Sequence, residues 1–105
     1  MKTSELTGSA LNWAVAKCEG VPEYILNKPY RSTELIEPYS TDWAQGGPII
    51  EREEIIIGPS LPTPKWVARN WTIEVAGPTP LIAAMRCYIA SKLGDEVDVP
   101  KELQP

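Results

Sequence analysis

Histidine and phenylalanine are both missing from this 105-residue chain. Without histidine the commonest general base and the commonest metal ligand go together. A transition-metal site and a Ser-His or Cys-His nucleophile are therefore excluded. Acid–base chemistry would fall to Asp, Glu, Lys or Tyr. Cysteine is scarce too. Cys18 and Cys87 stand far apart, and each falls on an expected helix. We read both as reduced, small, buried apolar residues. No run of 18 apolar residues exists, so no membrane-spanning helix is expected. Met1, Lys2, Thr3, Ser4 and Glu5 have no apolar segment behind them, so no export signal is expected. Positive charge is in deficit: the net charge is −4, against the needs of a general nucleic-acid binder. A phosphate-binding fingerprint is also lacking, since no glycine pattern opens a helix after Gly46 and Gly47.

What is present fits one domain over residues 1–105, with 43% apolar and 23% charged residues. The aromatic set is four tryptophans and four tyrosines. Such amphipathic rings suit stacking on a base, or simply fill a small core. Seven of the eleven prolines lie between positions 22 and 64. They predict short strands, turns and extended loops there, and no long central helix.

Residues 77–94 carry every helix signal at once. Thr79 is a good N-cap and Pro80 suits the first helical position. Lys92 suits the negative end of the dipole, and Gly94 closes the helix. Leu81, Ile82, Met85, Tyr88, Ile89 and Leu93 form one stripe. Ala83, Ala84, Ala90 and Ser91 allow a neighbour to approach closely. A first helix is expected over 8–18, with Thr7 as cap and Leu11, Ala14, Val15 and Cys18 on one face. Trp13 lies off that face. It reads either as a cover for a loop or as a partner or ligand surface.

In the middle, Glu23 to Leu26 and Leu35 with Ile36 read as strand pieces, and Asn27, Lys28 and Pro29 as a turn. Residues 39–48 read as a polar loop with Gly46 and Gly47 permitting close approach. The bland account is a turn capped by Asp42, with Trp43 plugging the core. The functional account is a binding loop on a rigid scaffold. Ile55, Ile56 and Ile57 predict a strand buried on both faces or a short parallel-type strand, the charged cluster at 51–54 a solvated turn or bulge, and 58–64 a proline-rich connection. Trp66, Val67 and Ala68 predict another strand. Trp71, Ile73 and Val75 alternate with Thr72 and Glu74, the period of a half-buried strand. Arg69 and Asn70 form the turn between. The acidic tail packs through Val97 and Val99.

Two chemistries are weighed. Asp42 with Glu51 or Glu53 makes a carboxylate pair for a hydrolase, although nothing nearby raises a pKa. The stronger constellation is a small-molecule pocket at the start of the 80–93 helix, where free N–H groups favour an anion. Its walls would be Tyr39, Ser40, Thr41, Asp42, Trp43, Gln45, Gly46 and Gly47, with Trp71 and Thr79. Arg52 and Arg86 would supply a fork for phosphate or carboxylate.

Three segments in order, 6–20, 39–53 and 77–94, resemble the NinX-like family of small tailed-phage and prophage proteins. The resemblance implies a phage accessory protein in the bacterial cytoplasm, of a family without assigned function, and it supplies no catalytic residues. Accessory proteins of this size often bind a host protein or sequester a nucleotide defence signal, which is an argument by analogy. The sequence thus predicts an α+β fold, two helices packed on a small, mainly antiparallel sheet. It predicts a non-enzymatic protein with no cofactor or metal, binding a small anionic nucleotide-like ligand. The alternative is a module that inhibits or redirects a host protein, with a homo-oligomer as a further option.

Overall fold

The computed structural model describes residues 1–27, 36–61 and 65–104. Among them are four α-helices and three strands: α1 (Gly8–Cys18), α2 (Glu23–Leu26), α3 (Trp43–Arg52), β1 (Ile56–Ser60), β2 (Lys65–Arg69), β3 (Glu74–Gly77) and α4 (Pro80–Leu93). The fold is α+β, as expected, but two helices were too few. The expected turn at 27–29 extends outside the described residues, as do Leu35 of one strand piece and residues 62–64 of the proline-rich connection.

The sheet is antiparallel in the order β1-β2-β3, and Ile56 is exposed, so β1 is neither parallel-type nor buried on both faces; it also takes in Gly58, Pro59 and Ser60 of the expected connection. Ile57 pairs with Ala68, and Ala68 in turn with Val75. Helix α4 lies across the sheet and touches all three strands; α1 and α3 pack against α4. Because α4 has neighbours on both sides, its burial exceeds a stripe. Ala83, Ala84, Cys87 and Ala90 are buried beside Leu81, Met85, Tyr88 and Ile89. Leu93, expected on the stripe, is partly exposed instead. The small residues on α4 let the sheet come close. At Gly77 a Cβ would stand 2.7 Å from the backbone nitrogen of Ala83, so only glycine fits there.

The ends of α4 follow the sequence. The Ile82 N–H donates to the Thr79 hydroxyl at 3.1 Å, and Pro80 occupies the first helical position. At α1, Thr7 precedes the helix as expected but makes no side-chain cap bond. Both cysteines are free. The tail does pack through Val97 and Val99. It is also tied to the start of the chain, where the Thr3 hydroxyl donates to the Gly94 carbonyl at 2.6 Å.

Three expectations are corrected. Glu23 to Leu26 is one turn of helix, not a strand. Residues 43–48 are the body of α3, not a loop, and the helix runs on through Glu51 and Arg52, which were expected in a turn. Asp42 makes this possible by accepting from the Ala44 N–H at 2.9 Å. Gly46 makes it necessary: a Cβ there would lie 2.5 Å from the Leu81 side chain and 2.9 Å from the Tyr39 carbonyl. Pro48 sits inside the helix and forgoes one ladder bond. Third, Trp71 is not in a strand. It stands in the β2–β3 turn, 91% exposed.

The end of α3 stores strain. Glu54 has φ of 54°, the left-handed region, where a side chain costs about 1–2 kcal/mol. The Ile55 N–H reaches back to the Ile50 carbonyl at 3.1 Å, closing a Schellman-type end. Glu54→Gly should therefore raise stability by about 0.5–1 kcal/mol, after the greater freedom of glycine in the unfolded chain is set against the relief. A thermal melt checks this. A melting temperature equal to or below the parent's would show that the position is not strained.

Candidate functional site

Two helices begin side by side. The starts of α3 and α4 converge on a cleft of about 240 Å³ lined by Ser40, Thr41, Trp43, Thr79, Pro80, Leu81 and Ile82. Trp43 is about half exposed, so its ring is a wall of the cleft and not a core plug. Ser40 is buried, and its backbone N–H donates to the Asn12 side chain of α1 at 2.9 Å. That bond fixes the turn before α3 to the body of the protein. Asn12 is a positioning residue that sequence reasoning passed over. Its partner is 28 positions away, a separation no local pattern reveals.

The helix starts are partly used up by their own caps. Thr79 takes the Ile82 N–H, and Asp42 takes that of Ala44. Pro80 has no N–H to offer. The backbone N–H groups of Trp43 and Leu81, each in a first turn, make no hydrogen bond among the described residues. Both belong to residues lining the cleft, at the positive ends of two helix dipoles.

Four of the twelve sequence-predicted residues thus meet: Ser40, Thr41, Trp43 and Thr79. Tyr39 is buried beneath them, its carbonyl against Gly46. Asp42 is the α3 cap. Gln45 and Gly47 are half-buried in the helix, and Gly46 is occluded by Leu81 and Tyr39. None of these last five lines the cleft.

Both arginines are engaged elsewhere. Arg52 ends α3, ten residues from its cap, or about 15 Å along the axis. Its guanidinium donates to both oxygens of Glu19 at 3.2 and 2.6 Å, and to Glu53 at 2.9 Å. It also lies 5.6 Å from the centre of the Tyr88 ring, whose hydroxyl donates to Glu19. Lys92 adds a contact to Glu53 at 3.5 Å. The network joins the ends of α1 and α3 to α4. The bond from Arg52 holds the Glu19 carboxyl below the usual carboxylate range. Burial first, and then the bond to Glu19, push the Tyr88 phenol well up. Arg86 donates to the carbonyls of Leu6 at 2.8 Å and Ala76 at 3.0 Å, tying the lead-in of α1 to β3.

Trp71 is held away from the cleft by its turn. The Asn70 side chain accepts from the N–H groups of Thr72 at 3.0 Å and Ile73 at 2.9 Å, and Asn70 N–H donates to the Ile73 carbonyl. Arg52, Arg86 and Trp71 thus stand outside the cleft together with Tyr39, Asp42, Gln45, Gly46 and Gly47.

Asp42 and Glu51 stand near opposite ends of α3, about 13 Å apart along its axis. Glycosidase-type carboxylate pairs need roughly 5–9.5 Å. Burial pushes the thiols of Cys18 and Cys87 up to about 11, so both are protonated near neutral pH and poor nucleophiles. No cluster of three or more metal-ligating side chains occurs among the described residues, and none of the described helices is long and apolar enough to cross a membrane.

Comparison with known proteins adds one finding. A family model described as "Bacteriophage P22, NinX" matches residues 2–92. No curated protein matches the chain.

Proposed function

We propose that this chain, which belongs to the bacteriophage P22 NinX family, is a small phage accessory protein that works by binding and carries out no reaction of its own. Its ligand is a small nucleotide-type molecule, seated where α3 and α4 begin. One observation carries this reading: two helix starts, each with an unused N–H, meet at a cleft walled by the Trp43 ring and three hydroxyl residues. The base stacks on Trp43, and the anionic end faces the Leu81 and Trp43 N–H groups near the Thr79 side. The absence of an arginine from the cleft favours a ligand of low charge, a nucleoside monophosphate or cyclic nucleotide rather than a triphosphate. In the host cell such a protein lowers the free concentration of its ligand by occupancy alone.

Calorimetry with a panel of nucleoside monophosphates and cyclic nucleotides tests this. The parent should bind at least one of them without turning it over. Trp43→Ala should weaken that binding by about 1–3 kcal/mol, the worth of a base–aromatic stack. Arg52→Ala should leave affinity unchanged while lowering the melting temperature, because its partners are Glu19, Glu53 and Tyr88. Loss of affinity in Arg52→Ala with none in Trp43→Ala would move the site to the wrong end of α3. A parent that binds no member of the panel would leave the host-protein alternative as the better reading.

A further inference from the structure

The face of the sheet turned away from α4 has no cover among the described residues. Ala68 is fully buried on the helix side, so its neighbours Val67 and Arg69 point to the other side. The register puts Ile56 and Gly58 of β1, and Glu74 and Ala76 of β3, on that same outer face. Gly58 stands opposite Val67 and leaves the floor without a side chain. The result is a groove of about 310 Å³ lined by Ile56, Gly58, Ser60, Val67, Arg69 and Glu74. Ile56 is 58% exposed at its rim. The turn that follows Arg69 presents Trp71, more exposed than any other large apolar residue described, on a backbone locked by Asn70.

We propose that this face is the interface of a two-fold homodimer, in which Trp71 of each copy enters the groove of the other. Three features favour a second copy over another occupant. The knob and the hole adjoin on one molecule, so a two-fold axis fills both grooves at once. The charges are self-complementary: Arg69 and Glu74 are cross-strand neighbours, yet neither forms an ion pair among the described residues. Across the axis, Arg69 faces Glu74 of the partner subunit. The sheet edges, meanwhile, are guarded. Pro59 removes a donor from the outer edge of β1, and Arg86 occupies the Ala76 carbonyl on β3. Association is thereby directed to the face. This inference does not rest on the cleft at α3 and α4, which lies at other residues.

Analytical ultracentrifugation of the full chain, up to a concentration on the order of 100 μM, tests it. The parent should sediment as a dimer. Trp71→Ala should weaken dimerisation by at least about tenfold, as loss of a central aromatic does, and its melting temperature when monomeric should match that of dilute parent. Arg69→Glu should weaken dimerisation likewise, and the exchange Arg69→Glu with Glu74→Arg should restore it. A parent that stays monomeric throughout would overturn the proposal. So would a dimer that Trp71→Ala and Arg69→Glu both leave intact. Failure here leaves nucleotide binding by Trp43 untouched, so the two readings fall separately.

Discussion

Trp13→Ala should cost about 3–5 kcal/mol of stability, the range for removing a large buried aromatic. The helical spacing of α1 sets Trp13 apart from Leu11, Ala14, Val15 and Cys18, which leaves a cover for a neighbouring segment or a surface for a partner or ligand. The ring is 3% exposed, and its indole N–H donates to the Leu26 carbonyl at 3.1 Å, so it covers a neighbouring segment. Lys17 lies 5.4 Å from the ring centre on the outside. Truncation therefore opens a cavity and removes the bond that the indole makes to the carbonyl of α2. At roughly 4–8 °C per kcal/mol for a domain near this size, the melting temperature should fall by at least about 12 °C. Trp13→Phe keeps most of the volume and loses only the donor. It should cost less, with about 0.5–1.5 kcal/mol for the lost bond. A Trp13→Ala protein melting within about 3 °C of its parent would mean that α2 does not cover α1. The same result would revive Trp13 as a surface for partners.

This burial shows where local pattern stops informing. A single helix wheel sees one face, but α1 is packed on two sides, by α4 and by α2. Wherever both ends of an element are marked by residues of special conformation, the sequence suffices. Thr79, Pro80 and Gly94 delimit α4, and Gly20 with Pro22 delimits α1. Glu23 to Leu26 is too short to distinguish a period of 2 from one of 3.6. In α3 the breakers themselves mislead. Gly46 reads as a flexible loop residue, while its function is to let the helix lie against Leu81. Tertiary contact overrides propensity there.

The candidate site divides along the same line. Thr79 and the 40–43 stretch were legible because N-cap chemistry is local. That both caps meet at one cleft was not, since it depends on the packing of α3 against α4. Arg52 was misassigned for the complementary reason. Its main partner, Glu19, lies 33 residues away, and nothing near Arg52 in the sequence announces it. The alternation through Trp71, Ile73 and Val75 holds for the last two, which pack against the core. It fails for Trp71 because Asn70 turns the chain first.

Met85→Asp should cost about 3–8 kcal/mol, enough to unfold a domain at the lower end of the usual range of stability. Met85 is fully buried near the middle of α4, the helix that contacts the sheet on one side and α1 and α3 on the other. Asp at this position would lie within the buried hydrophobic core cluster. A carboxylate there would protonate to escape the cost of burial. Even neutral, it would be an unpartnered polar group in place of a thioether that fills the layer. The loss of packing alone is about 2–5 kcal/mol, and the polar group adds about 1–3 kcal/mol. Domains of this length have total stabilities of about 5–15 kcal/mol. Met85→Leu conserves volume and should cost less than about 1.5 kcal/mol, which separates polarity from shape. Circular dichroism at 222 nm and the dispersion of amide resonances read the outcome. A Met85→Asp variant with native dispersion and a melting temperature near the parent's would mean that this face of α4 is not the centre of the fold.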